Sequence, residues 1–441
     1  MRLHKGPFVW LLEKEWRELL SSRAWWVMLL LIGPLVGVSF ISAVRTYAEL
    51  SGYGGTADGV GEAFSPLIGI WAPTFSAGEL AAAFLLPFVA IRVVSGDRQS
   101  GALKLELQQP MPVSARIAAK AAVLFAGWIV ASLPAAMAIA LWRSYGGSLY
   151  PPEIAAVAAG HLLNAGLTIA LASAAAALTD HPSTAAIVTL SVTVGTWIVN
   201  FIAAVHGGVW DRAAAYTPTA MVAEFQHGLV RLDVLLAASL LIALGLGLAT
   251  IWLRLGMAVR RRVYESIALG AATAALLFAS TFATASHDFS ENRMNSFAKA
   301  DEEALQQIAA PLRIEAHLAA EDPRRVDLER HAVSKLRRVL PRTQVRYVAT
   351  TTTGMFEQTS EHYGEIWYEL EGRRTMGRGT SAESVLAAIY SLAGIVAPPE
   401  DSEIFRGHPL AVPPRRAAAV FYGIWPAMVI AGGAFMRRRK G

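Results

Sequence analysis

Long apolar runs are the feature that most restricts what this chain can fold into. Eight runs carry few charges, and each is close to the roughly 20 residues that a helix needs to cross a bilayer. They cover residues 24–44, 68–94, 118–142, 153–178, 184–205, 234–253, 266–285 and 417–435. Only 17% of the 441 residues are charged, against about 25% in soluble proteins. The sequence therefore predicts a polytopic α-helical membrane protein with eight spans.

Basic residues predict its orientation, since short loops rich in Lys and Arg stay in the cytoplasm. They follow the second run, the sixth run (Arg254 and Arg260 to Arg262) and the eighth run (Arg437 to Lys440). We expect a multi-pass protein of the cell (inner) membrane with both termini in the cytoplasm. Because the basic residues lie beside apolar runs, the net charge of +5 does not indicate nucleic-acid binding.

Residues 288–414 differ from the rest, because apolar runs disappear and 19 acidic and 15 basic residues occur. Ile314 and Ala316 alternate with polar residues, as do Ile366, Tyr368 and Leu370, which indicates strands. Asp322-Pro323 and Thr380 to Glu383 are typical of helix starts. We predict an α/β extracytoplasmic domain inserted between spans seven and eight. Contact of this domain with an extracytoplasmic partner stays open.

The N-terminal residues 1–23 predict an amphipathic helix lying at the membrane interface. Its apolar arc contains Glu15, while Arg17 lies on the polar face. Two interpretations of Glu15 stay open: its carboxylate reaches back to the interface, or it contacts a protein partner.

Residues 96–120 form a polar segment between the second and third runs. A charged turn from Gly96 to Gly101 precedes an apolar-periodic segment, which Pro110 and Pro112 end because proline lacks a helix donor. Ser114 is placed to cap the helix that follows. We expect a cytoplasmic loop that a second protein can grip.

This segment resembles the coupling loop of type-2 ABC exporter permeases, a group that includes multicopper-enzyme-maturation permeases. Asp97 stands where the family favours Glu, and Ala102 where it favours Thr. The resemblance implies an interfacial elbow helix (1–23), a six-span core (24–256), a basic turn with a seventh span (257–287) and an eighth span with a basic tail (415–441). It also implies an ATPase-coupling loop with Asp97, Arg98, Gly101, Leu103, Pro112, Ser114 and Lys120.

A second segment, 206–233, is similar to the last outer loop of the same family. The matching residues are Pro218, Phe225, Gly228 and Asp233, while Thr217 stands where the family favours Ser. The resemblance implies a helix half buried at the outer surface.

Three polar side chains lie inside apolar runs: Glu79, His161 and Asn164. Ionisable groups at such depth are functional candidates by default. The alternative for Glu79 is a position near the surface or a polar partner. His161 and Asn164 share one helical face, where they either pack against a neighbouring helix or line a pathway.

Residues 286–394 resemble the auxiliary component of gliding-motility-type ABC systems, through PLRIEAHLAAEDPRRVDLERHAVSKLRRVL, YGEIWYEL and AESVLAAIYSL. The chain has no cysteine, which excludes thiol chemistry. It also lacks a phosphate-binding G-x-x-x-x-G-K-[ST] loop and the H-E-x-x-H and G-x-S-x-G motifs. We therefore expect no enzyme activity, no metal site and no cofactor in this chain.

These observations favour the membrane subunit of an ABC exporter, with ATP and Mg bound by a separate dimeric ATPase and a second permease copy or homologue beside it. The alternative is an ATP-driven mechanotransducer, whose outer domain acts on an envelope or enzyme-maturation partner without transport. A membrane-anchored structural protein without energy input is a third hypothesis. The sequence does not identify a substrate.

Overall fold

The structure is a computed structural model that describes residues 6–52, 64–99, 101, 111–206, 208–319, 322–348, 362–399 and 405–438. It is mostly helical (71%). Within these ranges, eight helices are long and apolar enough to cross a membrane, which confirms the predicted class. We name them spans 1 to 8: Arg23–Gly52, Leu67–Asp97, Val113–Ser144, Pro151–Leu178, Pro182–Ala204, Leu232–Trp252, Val259–Ser280 and Ala419–Met436.

The secondary-structure elements between residues 7 and 288 are mostly helices. They are α1 (Pro7–Ser21), α2 (Arg23–Gly52), a π-helical turn (Leu67–Trp71), α3 (Ala72–Phe84), α4 (Leu86–Gln99), α5 (Val113–Ala131), α6 (Leu133–Ser144), α7 (Pro151–Leu178), α8 (Pro182–His206), α9 (Val209–Ala214), α10 (Pro218–Gln226), β1 (Leu229–Arg231), α11 (Leu232–Trp252), α12 (Val259–Ser280) and β2 (Ser286–Asp288). Span 3 breaks at Ser132, before Pro134 in the next helix, because proline removes a helical donor.

Two expectations about helix ends were wrong. Span 7 begins at Val259 rather than Ser266, so the basic residues that we placed in a turn belong to its first turns. The helix of span 2 continues through the predicted charged turn to Gln99. Its last turns are held by the side-chain contacts of Asp97, which no local pattern reveals.

The chain divides into two compact units, which are considered separately. The first contains Met1–Ile198, Ala214–His287 and Arg406–Gly441, and the second contains Val199–Ala213 and Asp288–Phe405. The predicted domain boundaries themselves stay a prediction.

The second unit alternates short helices and strands. They are α13 (Lys299–Gln306), β3 (Arg313–Ala316), α14 (Pro323–Leu328), a π-helical turn (Glu329–Val333), α15 (Ser334–Val339), β4 (Gln344–Tyr347), β5 (Ile366–Leu370), β6 (Arg373–Gly377) and α16 (Ala382–Ala393). The strands form one sheet in the order β4-β3-β5-β6, in which β3 and β4 are parallel. The buried residues of β3 and β5 (Ile314, Ala316, Ile366, Tyr368 and Leu370) join the helices in one apolar core.

The ends of these elements show how local sequence acts. Asp322 caps α14 by accepting a bond from the amide of Arg324, as predicted. The cap of α16 is Ser381, which accepts from the amide of Ser384, so the box predicted at Thr380 to Glu383 was wrong by one residue. β6 was not predicted, because Arg373 and Arg374 at its start carry no apolar alternation.

The first unit ends in a π-helical turn (Ala419–Ile424) and α17 (Trp425–Arg438), which together contain span 8. Span 8 packs against span 1, where Trp425 donates a hydrogen bond to the carbonyl of Leu29 at 2.7 Å. Gly33 and Gly37 of span 1 leave room for the rings of Trp425 and Phe421. Small residues allow this close approach of two helices in a membrane.

Candidate functional site

One lysine connects α1 with spans 2 and 3. The Nζ of Lys120, in α5, lies 2.9 and 2.8 Å from the two carboxylate oxygens of Glu15 in α1. It also lies 2.5 Å from Oδ2 of Asp97 and 3.1 Å from the carbonyl of Val93, both in α4. An ammonium group has three protons, so at least one proton is shared between two of these four acceptors.

This ionic cluster, formed by Lys14, Glu15, Asp97 and Lys120, is largely shielded from solvent. Glu15 is 0% exposed and Lys120 is 4% exposed. Lys14 supplies a second positive charge, with its Nζ 3.2 Å from Asp97 and 3.3 Å from Glu15. Burial raises the pKa of the Glu15 carboxyl, while the ammonium groups of Lys120 and Lys14 oppose that rise.

A buried ion pair adds little net stability, because desolvation offsets the attraction, but removing one partner is costly. The cluster therefore fixes geometry: it holds α1 against the end of span 2 and the start of span 3. Glu15, Glu18 and Asp97 place oxygens within 4.8 Å of one another. The positive charge at that point comes from the two lysines, both of which contact these carboxylates.

In the structure the Glu15 carboxylate is fully buried and pairs with Lys120. The two interpretations of Glu15 from the sequence stay predictions. Arg17 is different: its side chain is 71% exposed and pairs with Glu13 at 2.6 Å. An apolar-arc position was the one signal for the burial of Glu15, and its partner 105 residues away had no local signal.

The predicted coupling-loop residues separate into two groups. Asp97 and Lys120 are buried in the cluster, whereas Gly101, Pro112 and Ser114 are exposed. Ser114 does not cap α5, since the cap is Pro112 and the helix begins at Val113. Proline at that position has extended backbone angles, and Ser114 therefore lies inside the first turn. Arg98 belongs to α4, and Leu103 lies outside the described residues.

A second polar group lies among the spans, near α10. Glu79 of span 2 hydrogen-bonds to the side chains of Thr219 and Gln226. The amide nitrogen of Gln226 lies 3.3 Å from Nε2 of His161 in span 4. Glu79 therefore has polar partners, as one of its two alternatives required, and α10 connects spans 2 and 4. Thr219 and Gln226 were not expected from the sequence.

His161 and Asn164 face different spaces, although they share one helical face. His161 lies against Phe75, with ring centroids 5.3 Å apart and ring planes tilted by 40°, and lines a cavity of about 250 Å³. Asn164 lines a second cavity of about 330 Å³ together with Glu79. Both residues are nearly buried, so each combines helix packing with a cavity wall.

The four outer-loop residues occupy defined structural positions. Pro218 opens α10 after Thr217, whose hydroxyl caps the helix. Phe225 is buried, and a side chain at Gly160 of span 4 would come within 2.4 Å of it. Gly228 has a φ of 77°, which glycine adopts readily, and it turns the chain into β1.

Asp233 completes this segment at the start of span 6. It pairs with Arg231 at 2.5 Å, and Arg231 also contacts Glu224 of α10 at 2.9 Å. The predicted half-buried helix is therefore anchored to the span that follows it.

No family model, curated protein or solved structure matches this chain.

Proposed function

We propose that this chain is the permease subunit of a type-2 ABC exporter. The observation that carries the proposal is the ionic cluster, which joins α1 to the ends of spans 2 and 3 where the segment resembling a coupling loop begins and ends. ATP and Mg are bound by a separate ATPase dimer, and a second permease copy or homologue completes the complex.

The cluster gives this proposal a mechanical basis. A force applied to α1 or to the polar segment reaches spans 2 and 3 together, because Lys120 holds Glu15 and Asp97 at once. The exposed side chains of α1, rather than Glu15, then form part of the ATPase-facing surface. Trp10, at 58% exposure, and Arg17 border a pocket of about 250 Å³ on this helix.

In the proposed arrangement the protein lies in the inner membrane with both termini in the cytoplasm. Residues 288–414 form the extracytoplasmic α/β domain, which a further envelope partner can contact. The basic first turn of span 7 supports this orientation, since Arg260 to Arg262 favour the cytoplasmic side.

The orientation is testable because the natural chain contains no cysteine. Arg342→Cys in the second unit is expected to react with a membrane-impermeant maleimide in spheroplasts. Asp180→Cys, in the turn between spans 4 and 5, is expected to react only after permeabilisation. Both native side chains are exposed, so accessibility depends on the side of the membrane. Equal labelling of both sites in sealed spheroplasts contradicts the proposed topology.

Association with an ATPase is the direct test of the function. The tagged full chain, purified from its native membranes in mild detergent, is expected to bring down a chain with a phosphate-binding loop. Combining Trp10→Ala with Arg17→Glu is expected to reduce its recovery about tenfold or more, since Trp and Arg dominate interface energies. Arg342→Glu is the control. Absence of any ATPase from the wild-type preparation, or full recovery with the double variant, counts against the proposal.

The mechanotransducer remains the second candidate, favoured by the tight packing of span 8 on span 1. Trp425 and Phe421 fill the spaces above Gly33 and Gly37, so movement of span 1 reaches the C-terminal tether of the outer domain. The two candidates differ in one requirement: an exporter needs a substrate site among its spans, and a mechanotransducer does not.

A further inference from the structure

The larger of the two cavities among the spans has the properties of a ligand site. It has a volume of about 330 Å³ and is lined by spans 2, 4, 5 and 6 and by the segment that leads into α10. Its polar lining includes Glu79, Asn164, Thr193, Thr196, Trp197 and Tyr216. The remaining walls are mostly alanine, leucine and valine, so the space suits a largely apolar molecule.

The lining of the cavity offers negative charge but no positive charge. Glu79 is the one acidic residue among the described residues that line it, and none of them is Lys, Arg or His. The side-chain partners of Glu79, Thr219 and Gln226, are both neutral. Both can donate a hydrogen bond to the carboxylate, and neither supplies a counter-charge. A charge at this depth is costly without a counter-charge, so a ligand that brings a positive charge gains most.

Two aromatic side chains strengthen this preference. Trp197 and Tyr216 both line the cavity, and aromatic faces attract cations. Trp197 is held in place by Phe84, with ring centroids 5.5 Å apart in an edge-to-face arrangement. Amide and hydroxyl groups of Asn164, Thr193 and Thr196 add neutral hydrogen-bonding capacity, which also tolerates a cation.

We propose that this cavity binds lipophilic organic cations, molecules with an apolar body and one positive charge. The smaller cavity of about 250 Å³ provides a contrast, because its lining contains His161 but no carboxylate. The cation site stands on its own geometry. Its role as the substrate site of an exporter rests on the proposed function.

The experiment uses the full chain in lipid nanodiscs and a pair of probes with the same shape and opposite charge. Equilibrium binding of radiolabelled tetraphenylphosphonium is compared with that of tetraphenylborate, each after subtraction of empty nanodiscs. We expect saturable binding of the cation alone. Glu79→Gln is expected to weaken it about tenfold or more, as when a charge-assisted contact is lost. Asp180→Asn, which removes an exposed carboxylate, is expected to leave affinity unchanged.

A second variant guards against misfolding of Glu79→Gln. Ala83→Leu narrows the cavity from span 2 without changing its charge, and it is expected to weaken cation binding while the chain keeps its unfolding temperature. Equal binding of both probes, no binding of the cation, or unchanged cation affinity in a folded Glu79→Gln chain overturns the proposal. If the chain binds the cation but recovers no ATPase, the cation site is supported and the exporter function is rejected. If the chain recovers an ATPase but does not bind the cation, the cation site is rejected and the exporter function is supported.

Discussion

Replacing Lys120 by methionine is expected to destabilise the first unit by about 3–5 kcal/mol, the usual cost of removing one partner of a buried ion pair. Methionine matches the length of the lysine stem but leaves the carboxylates of Glu15 and Asp97 buried without their main counter-charge. Lys14 cannot replace it, because its Nζ approaches from the solvent side with a third of its side chain exposed. We expect a lower unfolding temperature in detergent and a loosened α1.

The control variants separate the charge imbalance from the loss of side-chain volume. Lys14→Met removes the outer, partly exposed lysine and is expected to cost about 1 kcal/mol or less. The triple variant Lys120→Met, Glu15→Gln and Asp97→Asn removes all three charges and is expected to recover much of the lost stability, because no buried charge then lacks a partner. An unfolding temperature of Lys120→Met equal to that of Lys14→Met contradicts the account of the cluster.

Gly37→Leu is the second substitution with a large expected effect. A Cβ at Gly37 would lie 2.5 Å from the Cβ of Phe421, and one at Gly33 would lie 2.0 Å from the Trp425 ring. These distances are far below van der Waals contact, so span 8 has to move away from span 1. Overpacking costs about 1–3 kcal/mol, and the displaced span 8 also loses the buried contacts of Phe421 and Trp425.

The measurement for Gly37→Leu combines the unfolding temperature with limited proteolysis between residues 405 and 418. The variant is expected to unfold at lower temperature and to be cut faster there. Gly423→Leu is the matched control, because Gly423 lies on span 8 itself and a Cβ there meets nothing within 4 Å. A Gly37→Leu chain as stable and as protease-resistant as Gly423→Leu shows that this packing is not needed.

Much of the membrane architecture could be predicted, because hydropathy over 20 residues depends on local composition alone. Each of the eight predicted apolar runs overlaps a helical segment long and apolar enough to cross a membrane. The strand of Ile366, Tyr368 and Leu370 was also predicted, since its alternation matches the buried face of β5. The hairpin to β6 was not predicted. In the structure its turn residues Glu371 and Gly372 both have positive φ, as in the favoured two-residue turns.

The candidate sites were less predictable because their partners are distant in sequence. The sequence placed Glu15 in an apolar arc and Lys120 in a loop motif, but no periodicity relates two residues so far apart. The same applies to Glu79 and Gln226, which meet only because α10 packs against span 4. One signal was available and unused: Gly33 and Gly37 have the G-x-x-x-G spacing of close helix contacts.

The most direct test of ATP-driven movement is a set of distances between spin labels, measured on the complex with its ATPase. The chain contains no native cysteine, so labels can be placed at Ser21→Cys, Ser114→Cys and Asp180→Cys, all exposed positions. The account predicts that ATP with vanadate changes the distance from Ser21 to Asp180 but not that from Ser21 to Ser114, because the ionic cluster holds α1 and span 3 together. Distances that do not respond to ATP, or a change between Ser21 and Ser114 alone, would contradict it.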